Sequence, residues 1–365
     1  MAHPLTRRQG GVESGLAMPQ IAADRLREFA GNILAAAGLA PAHAAATAAG
    51  LVAANLRGVD SHGALRLAQY VASIQGGQIT PDPDVRVSAR RGASALVEAD
   101  GGYGFAPATL AIDTAVELAR EHGTGIVGVR GSHHFGMGAF YAARAAAAGF
   151  IGYITTTSQP VVVPTGSAVP LVGNNPVAYA IPRRAPHAPI VLDMALSEVA
   201  FGKIRLAAAE GRPIPLGWGF DAQGRPTTDA TAALAAEALG PAGGHKGSGL
   251  AVIGEVLGGV LTGSPFGAAS HAHMHSAGGV GHLATAIDPA LWVSRSEFED
   301  GVEELVAQLK AAPRAEGVNE ILLPGEPEQR TEAARLAGGI PVSDELAAKL
   351  GELAVRLGVA PPAWA

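Results

Sequence analysis

The sequence predicts an α/β protein of the α+β type, with helical chain ends set around a mixed sheet. Three observations carry that expectation. Apolar residues recur at helical spacing in 21–58 and again near the C-terminus. Short alternating or wholly apolar runs, interleaved with further helices, fill the middle of the chain. The fingerprint G-x-G-x-x-G between a strand and a helix is missing, so a nucleotide could be held only by another scaffold.

In order along the chain, 1–18 reads as a disordered tail, and the arginines in it have no apolar stretch behind them to make a signal peptide. "IAADRLREFAGNILAAAGL" (21–39) and "APAHAAATAAGLVAANLRG" (40–58) are helices stopped by Gly38 and Gly58. Asp60 or Ser61 is placed to cap a third helix, "HGALRLAQYVASIQGG", on which His62 and Arg66, four apart, share a face. Residues 81–104 alternate as short strands, 106–123 is a helix, and "TGIVGVRG" is the strand after it. "GAFYAARAAAAGF" is a helix leading into the strand "IGYITTT". The glycine- and proline-rich run that follows is too apolar for a linker. "APIVLDM" (188–194) is a strand ending in Asp193, and "SEVAFGKIRLAAAEG" is a helix. "GLAVIGEVLGGVLTG" (249–263), interrupted by Glu255, falls short of the roughly 20 apolar residues of a membrane span and predicts a buried helix. A helix near 297–311, a turn at "LPGEPEQR" and a helix from about Ser343 to Leu357 complete the chain.

Composition narrows the function. The 365 residues are 48% hydrophobic and 16% charged, with a net charge of −6 and no long basic stretch, so no nucleic-acid footprint is expected. The absence of cysteine excludes disulfides, thiol nucleophiles and cysteine metal sites, and fits a reducing cytoplasm.

Four stretches carry chemistry. In "RGVDSHGALRL" (57–67), Ser61, His62 and Arg66 combine a proton relay with a carboxylate clamp; the plain alternative is a capped helix with a surface histidine and arginine. In "GSHHFGMG" (131–138), His133 and His134 sit at a strand-to-helix junction that could line a pocket. "GPAGGHKGSG" (240–249) fails the phosphate-loop pattern, yet Lys246 at a helix entrance among glycines suits phosphate or carboxylate. "HAHMH" (271–275) invites a metal, but its flanks are loop-like and not strand-like, so no metal site is predicted.

Taken together, "GVDSHGALRL", "GSHHFGMGAFYA", "GNNPVAYAIP", "PIVLDMALSEVAFGKI", "LGPAGGHKGSGLAV" and "LPGEPEQR" resemble, in order, the signatures of the malate/L-lactate dehydrogenase family that is unrelated to Rossmann-type enzymes. Its relatives include ureidoglycolate and sulfolactate dehydrogenases, 2,3-diketogulonate reductase and Δ1-piperideine-2-carboxylate reductase. The resemblance spans about 20–358. It implies a large, mostly antiparallel sheet that holds NAD or NADP, a small carboxylate substrate, and a homodimer with its site near the interface. It divides the chain into a helical substrate and dimerisation domain (19–80 with 297–365) and an NAD(P)-binding domain (81–296).

The same resemblance makes His62 the general acid for carbonyl or imine reduction, with Ser61 and Asp193 to relay or orient it and Arg66 to hold the carboxylate. His134 falls where some members have a proton acceptor and others a cofactor or substrate contact. Cofactor contacts are implied at His134, Phe135, Gly136, Met137 and Gly138, at Ser158, and at Pro189, Ile190, Val191, Leu192, Asp193, Met194 and Ala195. Further contacts are implied at His245, Lys246, Gly325 and Glu326. Ser158 stands where many members carry asparagine, and Asn174 where threonine is common. The implied reaction moves a hydride between NAD(P)H and a small 2-oxo or 2-hydroxy acid. Its rivals are a cyclic imino-acid reductase using the same residues, a metal hydrolase using His271, His273 and His275, and a non-catalytic anion-binding module.

Overall fold

A computed structural model describes residues 18–273, 278–362 and 364; the tail reading therefore lies, up to residue 17, outside the described residues. Gln20–Ile21 (β1) leads into α1 (Ala23–Ala36) and α2 (Pro41–Leu56), the latter opened by a proline where a missing N–H breaks no helical bond. Gly38 and Gly58 follow the two helices with φ of 112° and 76°, as helix stops require. Next come α3 (Leu67–Gln75), β2 (Arg86–Arg91), β3 (Ser94–Glu98), α4 (Phe105–His122), β4 (Thr124–Ser132) and α5 (Ala139–Ala147). They are followed by β5 (Ile151–Thr156), β6 (Pro160–Val162), β7 (Val172–Gly173), β8 (Val177–Ile181), β9 (Ile190–Met194) and α6 (Phe201–Ala209). The pair β10 (Gly219–Phe220) and β11 (Pro226–Thr227) precedes α7 (Ala230–Ala236), α8 (His245–Gly254) and α9 (Ala268–His273). The chain ends with β12 (Val280–Ile287), α10 (Arg295–Ala311), α11 (Glu326–Gly338), β13 (Ile340–Pro341) and α12 (Asp344–Leu357).

Seven strands form one mixed sheet in the order β2-β3-β4-β12-β5-β8-β9. Within it only β3 and β4 run parallel, so the sheet is mostly antiparallel, as expected. Strand alternation sets its faces: Val127 and Val129 of β4 point into the core, while Ile126, just before them, is 44% exposed on the other face. The inner face packs on α4 and α5 through Ala111, Ala115, Ala142 and Ala145, whose methyl-sized side chains let the helices lie close to the strands. A second core joins the chain ends, with Leu26, Ile33, Leu51 and Val71 against Leu350 and Leu353. A third, around Val162, Leu196, Ile204 and Leu239, supports the segment after β9.

The structure revises several local expectations. "LPGEPEQR" is no isolated turn: Gly325 and Pro327 open α11, which the glycine–proline punctuation had masked. Around "HAHMH", the backbone of 268–273 is helical, not loop-like; Met274 to Ala277 lie outside the described residues. The stretch 249–263 is not buried all round. After α8 it continues as a π-helical turn, Glu255–Val260, with Glu255, Gly258 and Gly259 inside and Leu250, Ile253, Val256, Val260 and Leu261 at least 44% exposed. Mean hydropathy measured the apolar content of this segment but not which side of it the fold covers. No helix among the described residues is long and apolar enough to cross a membrane.

Candidate active site

The third helix does not begin at His62. Two single 3-10 turns, Asp60–His62 and Ala64–Arg66, precede α3, because Gly63 between them is extended (φ −96°, ψ −150°) and interrupts helical bonding. His62 and Arg66 therefore do not share an α-helical face. Nor do Asp60 or Ser61 cap the helix with their side chains. The loop is held instead by Asn55, whose side chain donates to Asp60 (2.6 Å) and accepts from the Ala64 N–H (2.8 Å). A β-carbon on Gly63 would lie 2.3 Å from the Asn55 Oδ1, so this close approach requires glycine.

This turn presents the chemistry. Ser61 Oγ lies 3.0 Å from His62 Nδ1. The Arg66 Nε donates to the Ser61 carbonyl (2.8 Å) and its Nη1 to Gln69 (2.9 Å). Among the described residues Arg66 has no carboxylate partner. The His62 ring stacks on His134, with centroids 5.6 Å apart and planes 15° from parallel. Burial and then the Arg66 charge push the His62 imidazole from 6.5 down to about 4, so it is neutral at pH 7.

The second histidine is fixed by its neighbours. His134 Nδ1 lies 2.5 Å from the Tyr70 hydroxyl and accepts the Gly136 N–H at 3.3 Å. A backbone N–H can only donate, so Nδ1 is the acceptor and the ring proton sits on Nε2. Burial first, then repulsion from the neighbouring His62 (were it protonated) and from the Arg66 cation, hold His134 well below the ordinary histidine range. Tyr70 was not among the predicted site residues; its position one turn beyond Arg66 was the available signal. His133 is buried, edge-on to Tyr103. His282, fully buried, spends both ring nitrogens on Thr156 and Ser132 and serves the core.

The other predicted residues are held by contacts of their own, several of them centred on β9. Asp193 accepts the Ala139 N–H (2.7 Å), so the carboxylate binds the first turn of α5 and pins 134–138 against β9. No hydrogen bond among the described residues joins Asp193 to His62 or His134. Phe135 and Met137 are buried, with Phe135 stacked on His282, so a ligand along 135–138 would meet backbone and glycine. Gln329 donates to the Pro189 carbonyl (2.6 Å) and Val191 to that of Pro324 (3.0 Å), which docks Gly325 and Glu326 on β9. Gly325 has φ 88°, and a β-carbon there would strike the Val191 carbonyl at 2.7 Å. Glu326 itself is engaged with Lys310 (2.5 Å) and the Leu323 N–H (2.9 Å).

Ser158 donates through its N–H to Asn175 (3.0 Å) and through its hydroxyl to Asn174 (2.7 Å). Behind it lies a carboxylate that the sequence reading noted only as an interruption. Buried Glu255 accepts from Gly173, Asn175 and Gly267, each at 2.8 Å. Leu196 and Glu198 pair with 240–243, which brings His245 and Lys246, exposed at the N-terminus of α8, alongside the end of β9.

The donor set fits a nicotinamide dinucleotide. Half-exposed Leu192 and Met194 offer an apolar wall for rings, Lys246 and a helix N-terminus suit phosphate, and the neutral histidine pair offers polar ring nitrogens. Among the described residues no cluster of side chains could hold a metal ion, and the side chains of His271, His273 and His275 lie outside them.

Comparison with known proteins agrees. The family model for malate/L-lactate dehydrogenase matches residues 21–351. Malate dehydrogenase of Pyrococcus horikoshii is 34% identical over 343 residues, covering 92% of this chain and 95% of that protein. Its solved structure superposes with a TM-score of 0.86 over 96% of this chain and 99% of that one, at 31% identity. A (2R)-3-sulfolactate dehydrogenase (NADP(+)) of Chromohalobacter salexigens is 39% identical over 296 residues, 80% of this chain and 85% of its own. The structure of Δ1-piperideine-2-carboxylate reductase from Pseudomonas syringae gives a TM-score of 0.82 at 32% identity, over 92% of this chain and 99% of that one. With the motif order, the mixed sheet and these matches in agreement, the chain belongs to the malate/L-lactate dehydrogenase family.

Proposed function

We propose that the protein is an NAD(P)-dependent oxidoreductase interconverting small 2-oxo and 2-hydroxy acids. The observation that carries this reading is the stacked, neutral His62–His134 pair beside Arg66, a cation without a carboxylate partner among the described residues. Arg66 takes the substrate carboxylate, and the reacting carbon then lies next to the histidines. The nicotinamide, when bound, supplies or accepts the hydride. His62 donates a proton to the oxygen as negative charge grows in reduction and removes it in oxidation, with Ser61 orienting the ring. The substrate carboxylate offsets the charge of Arg66 and so raises the His62 pKa when a proton is needed. His134 acts as a neutral donor through Nε2–H and not as the proton acceptor, since its other nitrogen is already engaged. Asp193 supports the site from α5.

A cyclic imino-acid reductase is the second reading, favoured by the fold shared with the Pseudomonas syringae reductase. Arg66 and His62 keep their tasks there, with nitrogen in place of oxygen. A homodimer belongs to the same proposal, supported by the open apolar face of Leu250, Ile253, Val256 and Val260. So do the two-domain division, supported by the separate core of the chain ends, and a cytoplasmic location, supported by the lack of cysteine.

The test is NADH and NADPH oxidation against pyruvate, oxaloacetate, 3-sulfopyruvate and Δ1-piperideine-2-carboxylate, with His62→Ala in parallel. Turnover of a 2-oxo acid that His62→Ala abolishes while still binding cofactor is expected. Turnover of the imine alone selects the second reading. Failure with all four, or an undiminished kcat in the variant, refutes both.

A further inference from the structure

We propose that Arg335 is a positioning residue for His62, and that α11 is the strut linking the cofactor end of the site to the proton-donating end. The inference rests on the role of His62 proposed above and extends it to a residue that no motif includes. Arg335 reaches back 275 positions to Asp60, with Nη1 on Oδ1 at 2.7 Å and Nη2 on Oδ2 at 3.0 Å, and a further Nη1 bond to the Asn55 carbonyl. Isolated surface ion pairs contribute little. This one differs because it is two-pronged, the Arg335 side chain is only 15% exposed, and its partners are already joined to each other.

The consequence lies in what Asp60 and Asn55 hold. Asn55 bonds Asp60 and Ala64, the residues two before and two after His62. Arg335 fastens both Asp60 and Asn55, so the 3-10 turn that aims Ser61 and His62 is closed by a side chain from α11. A second tie, Arg57 to Glu332 at 3.0 Å, joins the same helix to the same corner. The opposite end of α11 is docked on β9 through Pro324 and Gln329. Thirteen helical residues, about 20 Å long at 1.5 Å per residue, thus connect Gly325 and Glu326 to the loop of His62. Helical hydrogen bonding makes that connection stiff, and a displacement at either end is carried to the other.

The experiment compares wild type, Arg335→Gln, Arg335→Lys, Asp60→Asn and His62→Ala. Three measurements are made: kcat with the best 2-oxo acid, NADH and NADPH affinity by nicotinamide fluorescence, and the His62 ring resonances in 15N-histidine-labelled protein. We expect Arg335→Gln to lower kcat by on the order of 10- to 100-fold, as misplaced catalytic groups do, with cofactor affinity changed by less than about twofold. Arg335→Lys should recover part of the loss, because an ammonium restores one of the two prongs. The His62 resonances should shift or broaden in Arg335→Gln, a change that a merely stabilising contact would not produce. If Arg335→Gln does not fold, Asp60→Asn, which keeps the side-chain shape and removes the charge, must give the same kcat loss and ring shift. Unchanged kcat and unchanged His62 resonances in the folded variant overturn the inference, as does a loss confined to cofactor affinity. Wild-type inactivity, or an active His62→Ala, would instead overturn the role of His62, and the ring resonances would still decide whether Arg335 positions it.

Discussion

The depressed pKa of His62 makes the pH dependence of hydroxy-acid oxidation the sharpest test of its role. In that direction His62 must start neutral, so activity is lost where it protonates. An unperturbed histidine would place that loss at 6.5, whereas burial and Arg66 bring it to about 4. The two cases separate at pH 5.5. There kcat/KM for the hydroxy acid should keep about 97% of its plateau with a pKa of about 4, against about 9% with a pKa of 6.5. The reverse reaction gives the mirror image. With on the order of one free-enzyme molecule in a thousand protonated at pH 7, kcat/KM for the 2-oxo acid should fall tenfold per pH unit across neutrality. Arg66→Gln removes the smaller of the two causes, so its acid limb should move upward yet stay below 6.5, since burial persists. The assay is a set of initial rates in buffers of constant ionic strength, with enzyme returned to pH 7 to confirm that it has not unfolded. An acid limb centred near 6.5 in the wild type would refute the assignment of the base to a histidine in this environment.

Three further outcomes follow from the packing around the site. Gly63→Ala would drive a methyl into the Asn55 amide and break bonds to Asp60 and Ala64, costing about 1–3 kcal/mol; denaturant unfolding reads this, and an unchanged midpoint contradicts it. Glu255→Gln puts an amide where three donors converge, so about 1–3 kcal/mol of stability should be lost and the KM for cofactor should rise through Ser158 and Asn175; an equal KM would detach that node from the cofactor site. The fold should also be acid-labile. His62, His134 and His282 all have native pKa values below their unfolded value of 6.5, to about 4 for His62 and about 3 for His282. The unfolded chain therefore takes up protons first, and the stability present above pH 6.5 is lost as pH falls from there toward 4 and 3. His282→Gln should flatten the slope between pH 6.5 and 4, and a wild-type unfolding midpoint that stays level over that range would contradict the sign.

What the sequence revealed of this site, and what it concealed, divides along a physical line. Elements fixed by local pattern were legible: the short apolar run "TGIVGVRG" after a helix announced the strand β4, and Gly38 and Gly58 announced helix ends. His62, Arg66 and His134 were legible as reactive types in motif order, although the helix expected to align them is two 3-10 turns broken at Gly63. Groups whose meaning depends on a distant partner were not legible. Tyr70 reads as one more apolar helix position until His134 arrives from 64 residues away. Glu255 reads as an interruption in an apolar helix until the π-turn rolls it inward onto Gly173, Asn175 and Gly267. Arg335 lies in a stretch to which the sequence assigned no element beyond the turn at "LPGEPEQR", and its meaning appears only when α11 sets it against Asp60. In each case the chain spends a polar group to fix the angle of another polar group. Such pairings leave no trace in hydropathy or spacing, because both are properties of one segment while the pairing belongs to two. Reacting residues are therefore easier to read from a single sequence than the residues that aim them, and the latter are where substitutions in this protein should change kcat without touching a motif.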